Sequence, residues 1–364
     1  MERFLKNDCY PKDLFVKRRN RPLFKVVLTL LGFSSIFCAV LAIGCGSLLR
    51  RALETGGYVE NWNPETDGEK LEDVNYGPES WQVMDVYVPK GFNSSEMRGA
   101  VVFIHGGAWI GGSRDLEDGF ARRAAKAGYL TANIEYMLAS ESVKDSYSME
   151  RVLDDVDAAI AKLKEIGEGL GCELDRVALS GHSAGGHISS LYAYSRGQSA
   201  QLTVAFIMAR AAPVDFHVDT WSPQSSPKVV AAIVRGMTRV EVDEALALNP
   251  DEATEAAINS ISPLSYVKPG VTPTISAYGA KDSIVPPNHP RKLRAAFEAI
   301  GAKPFADRDA VDLETPIFDY VEFPHSDHML TSDGDCTTRL WDLFLAYSKH
   351  YLLKPEEHGD VLNE

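Results

Sequence analysis

Residues 176–185 read RVALSGHSAG. The first five form a short apolar run of strand character, and from about Ala184 to Tyr194 the chain reads as a helix. Between the two, Gly181-His182-Ser183-Ala184-Gly185 matches G-x-S-x-G. A serine on so sharp a strand-to-helix turn is held in strained backbone geometry, and small neighbours two residues to either side let the chain bend that tightly. The turn also aims the Ala184 backbone N–H, together with the positive end of the following helix, at the point where an oxyanion would form. Ser183 is therefore a candidate nucleophile.

Working outward, short apolar runs alternate with amphipathic segments. Strands are expected at 83–89 (VMDVYVP), 100–104 (AVVFI), 130–136, 202–209, 274–278 and 318–323. Helices are expected at 116–127, 149–166, 290–300 and 337–352, the second with Val152, Val156, Ile160 and Leu163 on one stripe. This alternation predicts an α/β fold with a mostly parallel central sheet and helices on both faces. The domain is expected over about residues 72–352, followed by a polar tail at 353–364. Residues 216–260 interrupt the pattern with polar, helical sequence and are expected to form a small helical lid above the carboxyl ends of the strands, the edge where open α/β sheets bind ligands.

Serine is a poor nucleophile unless a general base takes its proton and a carboxylate fixes the base's tautomer. Around such a serine elbow the chain order is serine, acid, histidine. Asp282, in GAKDSIVP, follows a predicted strand about 100 residues on and is the candidate acid. Two histidines follow the last predicted strand in PHSDHML. His328, in the loop beyond the strand, is the candidate base in preference to His325, and Asp327 reads as a loop or capping residue. His105-Gly106-Gly107-Ala108-Trp109 directly follows AVVFI, and successive glycines expose N–H groups to a close ligand, so Gly106 and Gly107 join Ala184 as candidate oxyanion donors. His105 is expected to order this loop by hydrogen bonding. Trp109 and His182, next to the donors and the nucleophile, are expected to line the substrate site. His217 and His289 read as solvated or lid positions.

The net charge of −14 is uneven: residues 1–25 carry +5, leaving −19 on the rest. So acidic a body repels phosphate backbones, which argues against a nucleic-acid partner. Five cysteines are too few for a disulfide scaffold, and none has C-x-x-C spacing, so no structural metal site is expected. Residues 26–49 contain no charged residue, and as a helix would span ~36 Å, enough to cross a hydrocarbon core of ~30 Å. Eight basic residues precede this stretch and Arg50 and Arg51 follow it. The positive-inside rule then gives a basic cytoplasmic tail (1–25), a single transmembrane anchor (26–49), a linker (50–71) and an extracytoplasmic domain. The alternatives are a buried core helix, a cleaved signal peptide, or processing and lipidation at Cys45.

Taken together, YGPESWQVMDVYVPKG (76–91), HGGAWIGGSRD (105–115), NIEYMLAS (133–140), GHSAGGH (181–187), SPLSYV (262–267), YGAKDSIVP (278–286) and SDHML (326–330) resemble, in order, the α/β-hydrolase superfamily. The resemblance is to its carboxylesterase branch, near hormone-sensitive-lipase-like and feruloyl-esterase-like members. It implies serine-esterase chemistry on a small-molecule ester without metal or organic cofactor, with Ser183, Asp282 and His328 as the triad and Gly106, Gly107 and Ala184 as oxyanion donors. The sequence departs from relatives in having HGGAW where lipases carry HGGG, and in lacking an Arg-Leu-Ala-Pro run after Tyr136. Both departures bear on the substrate pocket. An amidase, peptidase or formamidase on the same scaffold, and a catalytically silent binding module, are the rival readings.

Overall fold

The computed structural model describes residues 61–140, 147–312 and 314–355. Among the described residues, eight strands form one sheet in the order β1-β2-β4-β3-β5-β6-β7-β8. They are β1 (Gly68–Asn75), β2 (Val83–Pro89), β3 (Gly99–Ile104), β4 (Thr131–Ile134), β5 (Arg176–His182), β6 (Thr203–Arg210), β7 (Thr274–Gly279) and β8 (Phe318–Phe323). Only β2 runs against its neighbours β1 and β4; every other pairing is parallel. Parallel strands need crossovers that cover both faces, so the inner strands bury all but a few terminal side chains. The unbroken burial of GAVVFI in β3 is the result.

Helices α1 (Asp118–Lys126), α2 (Met149–Gly169), α3 (Ala184–Ser195), α8 (Asn288–Ala299) and α9 (Gly334–Leu352) are the crossovers and the closing helix. The stripe of Val152, Val156, Ile160 and Leu163 on α2 is fully buried. Ser148 caps that helix by accepting the Arg151 N–H, one of the four orphan donors of a helix start. On α9, Phe344 and Tyr347 pack against Phe206 of β6 at ring-centroid distances of 5.8 and 5.3 Å.

The segment between β6 and β7 carries four short helices, α4 (Val218–Trp221), α5 (Pro227–Thr238), α6 (Glu244–Leu248) and α7 (Glu252–Ile261). They leave the carboxyl end of β6, where the 216–260 insertion was expected to sit. Helix α5 packs on α2 and α4 on α8.

Three expectations are corrected. The linker does not run to residue 71, because β1 starts at Gly68 and pairs with β2 from Gly68–Pro89 to Asn75–Val83. Before it, Trp62 meets the Tyr87 ring edge-on at 5.0 Å. The polar tail does not begin at 353: Leu353 bridges Met97, and the Lys354 N–H donates to the Glu96 carbonyl at 2.7 Å. His289 is fully buried, neither solvated nor on the lid; its Nδ1 accepts the Val214 N–H at 3.1 Å, and burial pushes its pKa down to about 3. The predicted tail and anchor (1–25 and 26–49) lie outside the described residues, among which no helix is long and apolar enough to cross a membrane.

The elbow depends on a close backbone approach. A Cβ on Gly185 would stand 1.9 Å from the Ile104 carbonyl oxygen of β3. Helix propensity alone favours alanine over glycine by about 1 kcal/mol. The expected result for Gly185→Ala is nevertheless a strongly lowered melting temperature or insoluble protein. A wild-type melting curve would show that β3 and the elbow are not packed as described.

Candidate active site

Ser183 stands between the last residue of β5 and the first of α3 with φ 55° and ψ −119°, a conformation that a residue with a Cβ adopts only when its surroundings force it. Its N–H donates to the Arg210 carbonyl of β6 at 2.8 Å, and its carbonyl accepts from His187 at 2.9 Å. Both ends of the residue are thus fixed, and the hydroxyl projects from the turn. The Ser183 Oγ lies 2.9 Å from His328 Nε2. His328 Nδ1 lies 2.8 Å from Asp282 Oδ2. A carboxylate can only accept, so Nδ1 carries the imidazole proton and Nε2 is left as an acceptor for the serine O–H. The other Asp282 oxygen accepts the N–H groups of Ile284 and Val285 at 2.8 and 2.9 Å, which locks the carboxylate at the end of β7. Three residues separated by up to 145 positions therefore meet in one line. His325, the alternative, is exposed and donates its N–H to Asp333.

Of the candidate donors, Gly106 adjoins Ser183 in space and Ala184 adjoins it in sequence. A Cβ on Gly106 would stand 3.3 Å from the Ser183 Cβ and 2.8 Å from the His182 carbonyl oxygen, so that backbone passes directly beside Ser183. Gly107 has φ +125°, open to glycine at little cost. Ala184 is the first residue of α3, where a backbone N–H has no partner within the helix. His105 orders the loop as expected: its ring stacks on Tyr136 at 4.3 Å, and its Nδ1 lies 2.7 Å from the Gly106 carbonyl.

The two residues assigned to substrate contact use their polar atoms inside the protein. Trp109 donates its indole N–H to His187 Nδ1 at 3.1 Å. His182 donates from Nε2 to the His328 carbonyl at 2.7 Å. Burial, with His328 and Arg210 adding to it, holds the His182 pKa well below 6.5. A neutral ring keeps one N–H for that bond, so His182 steadies the loop bearing His328.

Further supports carry no signature in the sequence. Asp333 accepts the His325 N–H and the Ser326 hydroxyl, the latter at 2.6 Å, and so shapes the histidine loop. Under the elbow, Glu117 pairs with Arg210 and accepts the His182 N–H. Burial raises the Glu117 carboxyl above its ordinary range, Arg210 opposing the shift.

Beside the site, His217 bridges Asp215 at 2.7 Å and Glu255 of α7 at 3.2 Å. The hydrogen bond to Asp215, and then the charges of Asp215 and Glu255, raise its pKa above 6.5 against the effect of burial. A histidine so raised adds stability that is fully present below its unfolded pKa and is lost as pH rises through the folded one. The melting-temperature deficit of His217→Gln is therefore expected to be largest at about pH 5.5 and to close by about pH 9. A deficit independent of pH would contradict this ion pair.

Among known proteins, the BD-FAE family model matches residues 84–297, more than half of the chain. The chain belongs to the BD-FAE family. The matched stretch of this BD-FAE protein holds Gly106, Gly107, Ser183, Ala184 and Asp282, whereas His328 lies beyond it. Two relatives from Mycobacterium tuberculosis are similar. Esterase LipC is 26% identical over 62% of this chain and 55% of its own length. Esterase LipQ is 26% identical over 71% of this chain and 57% of its own. The BD-FAE chain thus spans about half the length of these curated relatives. Its fold matches esterase B from Lactobacillus rhamnosis, solved with a C4-C4 tributyrin phosphonate. The TM-score is 0.63 at 19% identity, over 87% of this chain and 96% of that one. The BD-FAE protein therefore has the α/β-hydrolase fold.

Proposed function

We propose that the protein is a serine carboxylesterase acting through an acyl-enzyme. The observation that carries this reading is the hydrogen-bonded line from Ser183 through His328 to Asp282. In the acylation step His328 Nε2 takes the hydroxyl proton as Ser183 Oγ bonds to the ester carbonyl carbon. The carbonyl oxygen becomes an oxyanion facing the Gly106, Gly107 and Ala184 N–H groups, while Asp282 stabilises the imidazolium. His328 then returns the proton to the departing alcohol as the carbon–oxygen bond breaks. Water, deprotonated by the same imidazole, repeats the sequence and releases the acid. The names of LipC and LipQ support an ester as the substrate. The test is the full chain on 4-nitrophenyl esters of graded acyl length beside matched 4-nitroanilides. Saturable ester turnover with far slower anilide cleavage is expected; anilide cleavage at equal or greater rate would put the amidase reading in its place.

We also infer, on the charge pattern of residues 1–51 alone, that this domain is held at a membrane with its catalytic part on the extracytoplasmic side. Full-length protein should stay with the membrane pellet through alkaline carbonate extraction. Its release as full-length soluble protein would overturn the anchor.

A further inference from the structure

Ala108 and Trp109, which follow the two candidate donor glycines, have φ 53° and 61°. Consecutive left-handed residues that bear a Cβ are disfavoured and persist only where the surroundings over-determine them. The contacts of Trp109 supply that constraint. Its carbonyl accepts from Ala139 at 2.9 Å, and its buried indole meets His187 edge-on at 5.4 Å and Phe216 at 5.9 Å. The indole N–H donates to His187 Nδ1 at 3.1 Å. An indole nitrogen only donates, so His187 Nδ1 bears no proton. The proton is then on Nε2, which donates to the Ile261 carbonyl at the end of α7 at 2.8 Å. His187 is fully buried, with both ring nitrogens engaged and the ring neutral, in keeping with a pKa that burial pushes down to about 4. It also sits one helical turn beyond Ser183, bonded to the serine carbonyl.

We propose that His187 is a positioning residue for acyl transfer: by tying the Trp109 indole to the Ile261 carbonyl, it fixes the strained donor loop in register with Ser183. The proposal rests on the serine-esterase reading and adds a role for the lid, whose last helix becomes one anchor of the oxyanion loop. His187 has no bond to the Ser183 hydroxyl, His328 or Asp282, so it acts through the placement of Gly106 and Gly107.

The test compares full-length wild type, Trp109→Phe, His187→Phe and the double variant on 4-nitrophenyl acetate and on an aryl trifluoromethyl ketone, which loads the oxyanion position as a tetrahedral adduct. Misplacing reacting groups by an ångström can cost about 100-fold. A kcat loss of that order is expected in each single variant, with KM essentially unchanged and ketone affinity falling in parallel. The double variant should be no worse than the poorer single one, because both break the same connection. Two results would overturn the proposal: singles that melt earlier but keep kcat per labelled serine, or a double variant whose loss is the product of the two. If His187→Phe does not fold, Trp109→Phe decides alone, since it removes one N–H and keeps an aromatic ring; a normal kcat there overturns the role. Wild type is treated in parallel with a fluorophosphonate. Absence of labelling overturns the esterase reading and this role together, whereas a labelled wild type with unaffected variants overturns only the role.

Discussion

Ser183→Ala is expected to lower kcat on a short-chain aryl ester by about 10⁶-fold, the scale on which serine triads lose activity when the nucleophile is removed. The residual rate would come from the donors and binding alone. The fold should survive the change. Serine and alanine both carry a Cβ, so the backbone conformation at 183, φ 55° and ψ −119°, costs alanine about what it costs serine. The substitution removes one half-buried oxygen and leaves the backbone bonds to Arg210 and His187 in place. A melting temperature close to wild type together with the activity loss is the expected pair of results. Retained turnover would mean that another group attacks the ester.

The second large effect is expected at Asp282. In Asp282→Asn the side-chain oxygen can still accept from Ile284 and Val285, so the turn after β7 should hold. The amide nitrogen then faces His328 Nδ1 and donates where the carboxylate accepted. The imidazole proton is driven to Nε2, which can no longer accept from Ser183. A loss of about 10⁴-fold in kcat follows from that wrong tautomer. Glu117→Gln, under the elbow, is expected to cost far less activity, because Glu117 supports the turn through the His182 N–H and touches no reacting atom. A comparable kcat loss in both variants would contradict this division of roles.

The sequence was most legible where chemistry and local geometry coincide. GHSAG carried the elbow because the turn itself requires the small residues, and the order serine, acid, histidine located Asp282 and His328. The inner strands were legible because parallel strands with both faces covered must be continuously apolar. β1 was not. Its sequence GEKLEDVN is mostly polar, and the pairing slips between Leu71 and Val74 around Asp73 at φ 55°, which destroys the period-two alternation by which an edge strand is recognised. The burial of His289 leaves no trace in the sequence because it depends on where α4 folds back: the Trp221 ring covers it edge-on at 4.7 Å, a tertiary contact with no local signal. Asp333 and His187 belong to the same class, since an aspartate before a helix reads as a cap and a histidine within a helix reads as packing until the distant partner is seen.

In the proposed mechanism Ser183 is made nucleophilic by its hydrogen bond to His328. Intact-mass and peptide mass spectrometry of the full chain after treatment with a fluorophosphonate tests it most directly. One adduct per chain, on the peptide containing Ser183 and lost in Ser183→Ala, is the expected result. No adduct, or an adduct on another serine while ester hydrolysis continues, would contradict it.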